Sequence, residues 1–288
     1  MNNFYLIDKP LEISSFDIIR ILRKKLNISK MWHTWTLDPL ATWGVLIAVW
    51  KYTKLIPYFE KDKKTYEFIV NIDWITDSFD LAEDVQYLEE KLQKKYKKEI
   101  TKEKLEEILK AKFSWKIIQL PPKYSALKIN WVRAYKLARE GKEVDIKKRE
   151  VEIFNIELLD YNYPEITLKA EVSAGTYIRS IAMDLWEILW TWGYLTKLRR
   201  TKIWDLTMDL SQSLDTFNAE KSLDINKIFK NIDFITLEES VLKKINNWLK
   251  VYEKFDFEIS KDLFVTNWQE VTNIVEYSWE YLFAKRKI

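Results

Sequence analysis

The chain has no cysteine, one histidine, four glycines and six prolines in 288 residues. Without cysteine there is no disulfide, no thiolate nucleophile and no cysteine zinc site, and one histidine cannot build a histidine metal cluster or a two-histidine acid/base pair. No uninterrupted apolar run approaches the ~18 residues of a membrane-spanning helix, and 47% hydrophobic residues argues against wholesale disorder. The opening MNNFYLIDKP lacks the basic-then-apolar pattern of a secretory leader, so a cytoplasmic protein without membrane contact is expected. An excess of charge is also lacking: 47 Lys and Arg against 44 Asp and Glu leave a net +3, so any nucleic-acid site must come from local patches.

The glycine deficit has a counterpart. A chain of this length would ordinarily hold roughly 20 glycines, and this one holds 14 tryptophans instead. Their neighbours are those of turn glycines. Asn130-Trp131, Asn247-Trp248 and Asn267-Trp268 would be Asn-Gly turns, and Trp190 and Trp192 flank Thr191 just before Gly193. A tryptophan-rich core would instead place them at periodic apolar positions. The pattern predicts that many or all of them are UGA codons that the source organism reads as glycine.

Ser14 and Ser15 predict the cap of a helix through Leu26, with Phe16, Ile19, Leu22 and Leu26 on its inner face. Residues 45 to 49 read as a buried strand, and Tyr66, Phe68, Val70 and Ile72 alternate as in a half-buried one. A charged surface helix follows Thr101, and a short helix from Arg133 stops at Gly141. Residues 151 to 159 and 166 to 172 form a hairpin around Tyr163-Pro164, and a helix over Thr176 to Leu189 turns Ile178, Ile181, Ala182, Leu185 and Leu189 inward. Composition places a connecting segment at 211–232, after a first domain over 1–210 and before a small β-rich appendage over 233–288.

The densest chemical constellation is the loop from Trp32 to Thr42, which holds His33 and Asp38 among small turn formers. Alone, Asp38 reads as an Asp-Pro turn residue and His33 as a structural histidine. Arg179 in Gly175-Thr176-Tyr177-Ile178-Arg179-Ser180 stands in the first turn of a helix, where a cation is electrostatically misplaced and asks for a partner.

Taken in order, DKP, HTxTLDPLAT, KTY followed by TDxxD, QxPPxYSALK, GTYIRS and LxxLRRT resemble the TruB-type family of tRNA pseudouridine-55 synthases over residues 4 to 210. That family's pattern has glycine at Trp32, Trp35, Trp43, Trp50, Trp74, Trp115, Trp131, Trp186, Trp190, Trp192 and Trp204, which is eleven of the fourteen. It also has glycine near Glu12 and Glu83, where recoding gives no explanation. The resemblance implies an α+β catalytic domain on a mixed, mostly antiparallel sheet flanked by helices, with a PUA-like RNA-binding appendage. It implies Asp38 as nucleophile, Arg179 as its ionic partner and Tyr66 as the ring that stacks on the target base. His33, Thr34, Tyr177 and Leu198 are implied at the flipped uridine, with Lys9 and Lys128 as further RNA contacts; Arg199 and Arg200 are phosphate or structural contacts. The implied partner is the T-arm of tRNA, met by a monomer with no cofactor, no metal and no obligatory protein partner. A guide-RNA-dependent synthase subunit and a non-catalytic tRNA-binding or tRNA-folding module are the alternatives.

Overall fold

The protein is seen in a computed structural model that describes residues 2–59, 63–75, 86–125, 127–129, 132–141, 146–256, 261–267, 270–278 and 280–288. The chain opens with β1 (Phe4–Asp8), α1 (Ser15–Leu26), β2 (Met31–Thr34), β3 (Ala41–Thr42) and β4 (Val45–Val49), then a 3-10 segment, Trp50–Tyr58. Next come β5 (Lys64–Asn71), β6 (Trp74–Ile75), β7 (Gln86–Tyr87), α2 (Glu90–Glu99), α3 (Lys102–Lys112) and β8 (Trp115–Gln119). They are followed by β9 (Lys128–Ile129), β10 (Val132–Arg133), α4 (Ala134–Arg139), β11 (Arg149–Asn162), β12 (Glu165–Val172), α5 (Ile178–Leu189) and β13 (Tyr194–Ile203). The remainder holds β14 (Gln212–Ser213), α6 (Ile225–Ile228), β15 (Asp233–Ile235), α7 (Glu239–Asn246), β16 (Asp262–Thr266), β17 (Val271–Tyr277) and β18 (Leu282–Lys287).

Two sheets position the site. One has the order β14-β1-β4-β2, the other β3-β13-β5-β12-β11-β8, and only the β1–β14 and β3–β13 pairings within them are parallel. This is the mixed, mostly antiparallel architecture expected. The alternation in β5 and β12 buries Tyr66, Phe68 and Val70 with Ile166, Leu168 and Ala170 in one core, against which α1 and α5 pack their apolar faces. Ser14 accepts from the Asp17 N–H while Asp17 accepts from the Ser14 N–H, a reciprocal cap that starts α1 where the serines predict it. The inner face of α1 is shifted from the expected one. Ile18, Ile19 and Leu22 are buried, whereas Phe16 is exposed with Arg20 and Arg23 at 5.3 and 5.9 Å from its ring, because its aromatic face is served by cations rather than by the core.

Residues 211–232 contain β14 and α6, and Ile228 and Phe229 are buried there. The C-terminal sheet runs β15-β16-β17-β18. One of its faces packs Leu263, Val265, Val275 and Leu282 against Val241 and Ile245 of α7. Its other face sends Phe264, Ile274 and Ile288 into a cluster with Phe4, Tyr52, Leu55 and Phe229. The β-rich appendage thus sits with α7 on one side and the first strand's side chains on the other.

Seven of the eleven tryptophans whose backbone is described, Trp35, Trp43, Trp50, Trp115, Trp190, Trp204 and Trp248, have φ between 53° and 69°. Among the described non-glycine residues, Glu12 and Asn27 are the other two with positive φ. That region is costly for a bulky L-residue and free for glycine. The helix ends make the point locally: α1 closes on left-handed Asn27, a residue that tolerates the conformation, while α5 and α7 are followed by left-handed Trp190 and Trp248 in the same role. After each, the next N–H reaches back to the same carbonyl position, Ile28 to Arg23, Thr191 to Trp186 and Leu249 to Lys244. Glu12, near a family glycine, has φ 68°.

Candidate active site

Asp38 lies in the turn between β2 and β3, closed by the Ala41 N–H donating to the Asp38 carbonyl at 3.0 Å with Pro39 second in the turn. Both flanks are anchored. The Leu37 N–H donates to Ser15 Oγ at 2.9 Å, and the Pro39 carbonyl accepts from Lys9 Nζ at 3.0 Å and from the Glu12 N–H at 3.2 Å. Behind the turn, β3 pairs with β13 at Ala41↔Leu198 and Thr42↔Arg199, and β13 pairs with β5 at Leu198↔Phe68 and Arg200↔Tyr66. Register therefore brings the Asp38 turn, Leu198 and Tyr66 to adjacent strands.

Arg179 is 3% exposed, and its Nη2 donates to Asp38 Oδ2 at 2.9 Å and to the Tyr124 carbonyl at 2.8 Å. A planar guanidinium held by a carbonyl on one side points its remaining donors along a set direction, which orients the carboxylate it faces. The helix carrying it is stitched to the strand exit after β8. Gln119 accepts from the Tyr177 N–H at 2.8 Å and donates to the Tyr177 carbonyl at 3.0 Å, and Ser180 Oγ donates to the Leu120 carbonyl at 2.7 Å.

Tyr66 is 8% exposed and hydrogen-bonds through its hydroxyl to Arg200, which is fully buried and also donates to the carbonyls of Trp35, at 2.8 Å, and Gly44. Arg200 so ties the Tyr66 strand to the loop that presents Asp38. His33 faces Ile47 across β2 and β4, with Nε2 3.0 Å from Thr36 Oγ1, and burial pushes its pKa below the ordinary histidine value. It is a neutral ring at neutral pH, suited to contact rather than to charge. Thr34 and Leu198 are buried beside the loop, and Tyr177 caps α5 with Arg149 over its ring at 4.7 Å.

The chain matches the family pattern of the TruB family pseudouridylate synthase N-terminal domain over residues 23–178, more than half its length. The chain belongs to the TruB family of pseudouridylate synthases. It is 34% identical over 266 residues to tRNA pseudouridine synthase B of Aquifex aeolicus, with 90% of each chain covered. It is 36% identical over 266 residues to the protein of that name from Rickettsia bellii, covering 89% of this chain and 88% of the relative. Its fold is that of a chain in a crystal structure of a Cbf5-Nop10-Gar1 complex, with a TM-score of 0.65 and 17% identity over 99% of this chain and 84% of that one.

Three cations have structural contacts at this TruB-family site, which for Arg199 and Arg200 is one of the two roles expected and for Lys9 stands beside the RNA contact expected of it. Lys9 has no exposed surface, and its ammonium donates to the carbonyls of Pro10, Ile13 and Pro39 at 2.8, 2.8 and 3.0 Å, leaving no donor for a substrate. Arg199 pairs with Asp8 at 3.1 Å and donates to Thr42 Oγ1 at 3.1 Å, and Arg200 is the buried tie just described. For Lys9 and Arg200 the physical reason is the same: backbone carbonyls reach these buried cations before solvent does, whereas Arg199, 33% exposed, is held by Asp8. The Lys128 side chain and the TDxxD residues, 76 to 80, lie outside the described residues.

Gln119 is the residue whose role the sequence hides. It stands at the head of QLPPKYSALK, but nothing in the strand pattern of WKIIQ announces that its amide meets both the N–H and the carbonyl of Tyr177 at a helix start. Gln119→Leu strands the Tyr177 N–H, whereas the Tyr177 carbonyl still accepts from the Ser180 and Ile181 N–H groups, so it is expected to lower stability by roughly 1–3 kcal/mol in urea unfolding and to slow turnover by displacing Arg179.

Burial lowers the Lys9 pKa to about 8, with the neighbouring charges of Asp38 and Asp17 opposing the shift. Above about pH 8 the amine loses a donor and no longer holds three carbonyls, so the turnover rate is expected to decline there, and a rate flat to pH 9.5 would exclude an ammonium role. Unfolding is not the cause. A base whose folded pKa lies below its unfolded value destabilises the fold below pH 8 and releases that penalty as pH rises toward 10.5, so stability from Lys9 moves opposite to the rate.

Proposed function

We propose that the chain isomerises uridine 55 in the T-loop of tRNA to pseudouridine, acting in the cytoplasm as a monomer without guide RNA, protein partner or cofactor. Residues 1–210 do the chemistry, and 233–288 grip the RNA across the 211–232 connection. The observation that supports this most is the pairing of Asp38 with the buried Arg179 in a turn anchored on both flanks.

The reaction breaks the C1′–N1 bond, turns the uracil and forms C1′–C5, after which C5 loses its proton and N1, freed of the ribose, carries one. Atoms balance without an external group, so a carboxylate nucleophile is the one reagent required. The target must leave the T-loop stack before Asp38 can attack C1′ or C6, with the Arg179 cation keeping the carboxylate ionised and aimed. Tyr66 offers a ring to stack on the extruded base and a phenol, in contact with Arg200, to relay the C5 proton. Leu198 contributes apolar wall and His33 a neutral contact.

The test is pseudouridine formation in a T-arm hairpin RNA, with the chain alone and no other macromolecule added. Conversion supports the reading. Binding of the hairpin without conversion overturns it in favour of a guide-dependent or purely binding role.

A further inference from the structure

Five cations meet where the catalytic sheet and the C-terminal sheet touch. Lys30 precedes β2, Lys51 and Lys54 stand one turn apart in the 3-10 segment, and Arg286 and Lys287 lie at the end of β18. Two contacts lock the cluster across the junction: Lys54 Nζ donates to the Lys287 carbonyl at 2.7 Å, and Arg286 Nη1 donates to the Lys54 carbonyl at 2.8 Å. Lys30, Lys51 and Lys287 are exposed. Among the described residues none of the five is paired with a carboxylate. The nearby Lys285 is held by Asp262 and Glu276, and Lys63, Lys116, Lys230 and Lys244 each have an acidic partner. The charges of Lys30, Lys51, Arg286 and Lys287 add to burial in holding the Lys54 pKa below its usual value.

In a chain of net charge +3, five uncompensated cations in one place repel one another and disfavour the fold unless a polyanion covers them. Their position says which one. Lys30 immediately precedes the edge strand β2, and His33 stands on that strand three residues on, about 10 Å away, so the cluster continues along β2 into the loop that presents Asp38. We infer that this junction takes the phosphodiester backbone of the RNA stem whose loop enters the Asp38 site. The inference rests on the proposed function for the identity of the RNA, and it makes the C-terminal sheet part of the substrate grip through Arg286 and Lys287.

The test replaces Lys30, Lys51 and Lys287 together by glutamine, since these three side chains donate no hydrogen bond among the described residues and their loss leaves the Lys54 and Arg286 contacts in place. A charge-matched control replaces the exposed Lys91, Lys97 and Lys98 of α2 by glutamine. Binding of an unmodified tRNA transcript is measured against potassium chloride concentration. The junction variant is expected to bind ~10–100-fold more weakly near 0.1 M salt, with a salt slope shallower by roughly 2–3, the signature of lost phosphate contacts. The control is expected to stay within about threefold of the parent. Equal affinity and slope for parent and junction variant would overturn the inference, as would equal weakening in the control, or loss of binding to phosphatidylglycerol vesicles with RNA binding intact. Pseudouridine is assayed on the same transcript, so junction-dependent binding without conversion removes the functional reading and leaves the surface standing.

Discussion

Asp38→Asn is expected to bind the T-arm hairpin and to form no measurable pseudouridine, a loss of roughly 10⁴-fold or more in rate, or about 5.5 kcal/mol of barrier. Asparagine keeps the shape of aspartate, and its carbonyl still accepts from Arg179 Nη2, so the turn closed by Ala41 and anchored by Lys9 and Ser15 is retained. What disappears is the negative charge and the nucleophilic oxygen. The buried Arg179 then loses its counter-charge, although Asp38 is 34% exposed and solvent already screens part of that attraction, so the stability cost is small, about 1–2 kcal/mol. Radiolabel release from C5 of the uridine, run beside a hairpin-binding assay, separates the two effects. Turnover within tenfold of the parent would remove Asp38 from the chemistry.

Replacing Trp50, Trp115, Trp190 and Trp248 by glycine together is expected to raise stability by about 2–4 kcal/mol, read as a higher urea midpoint. Each has a left-handed backbone and is 46%, 83%, 85% and 62% exposed in turn, so the change sacrifices little packing. A left-handed residue with a Cβ is disfavoured by about 1–2 kcal/mol, glycine gives back ~0.5–1 through its freer unfolded chain, and well-separated sites add. Trp43 behaves differently. Its φ of 69° also suits glycine, but its indole is fully buried and donates to Ser211, so there the backbone gain is set against a cavity. A lower midpoint for the fourfold variant would show that tryptophan is at home in these turns and would remove the conformational support for reading them as glycine codons.

Elements with a strong local pattern were legible in advance. The capped helix α1, the β11–β12 hairpin and the inward face of α5 follow from serine caps, alternation and a 3.6-residue repeat, which are properties of neighbouring residues. Phe16 was misplaced because periodicity marks an apolar face without saying whether core or arginine covers each member. Residues 211–232 look like a connection by composition, and the burial of Ile228 and Phe229 among Phe4, Phe59 and Phe264 depends on rings from three distant segments.

The sequence alone determined the motif order and the family it resembles, singled out Asp38 and Arg179 as candidates, and marked tryptophans that stand in glycine-like contexts. All of these are local in the chain, and left-handed φ at seven of those tryptophans is a local property as well. Only the tertiary structure decided that Arg179 reaches Asp38, that Gln119 holds the start of the Arg179 helix, that Lys9 and Arg200 brace the loop from inside while Arg199 pairs with Asp8, and that Lys30, Lys51 and Lys54 meet Arg286 and Lys287. A cation's neighbours in sequence do not reveal whether a carbonyl, a carboxylate or water will face it. That is settled by which strands pair and which segments they bring together, and here the β3–β13–β5 register and the packing of the C-terminal sheet settled it.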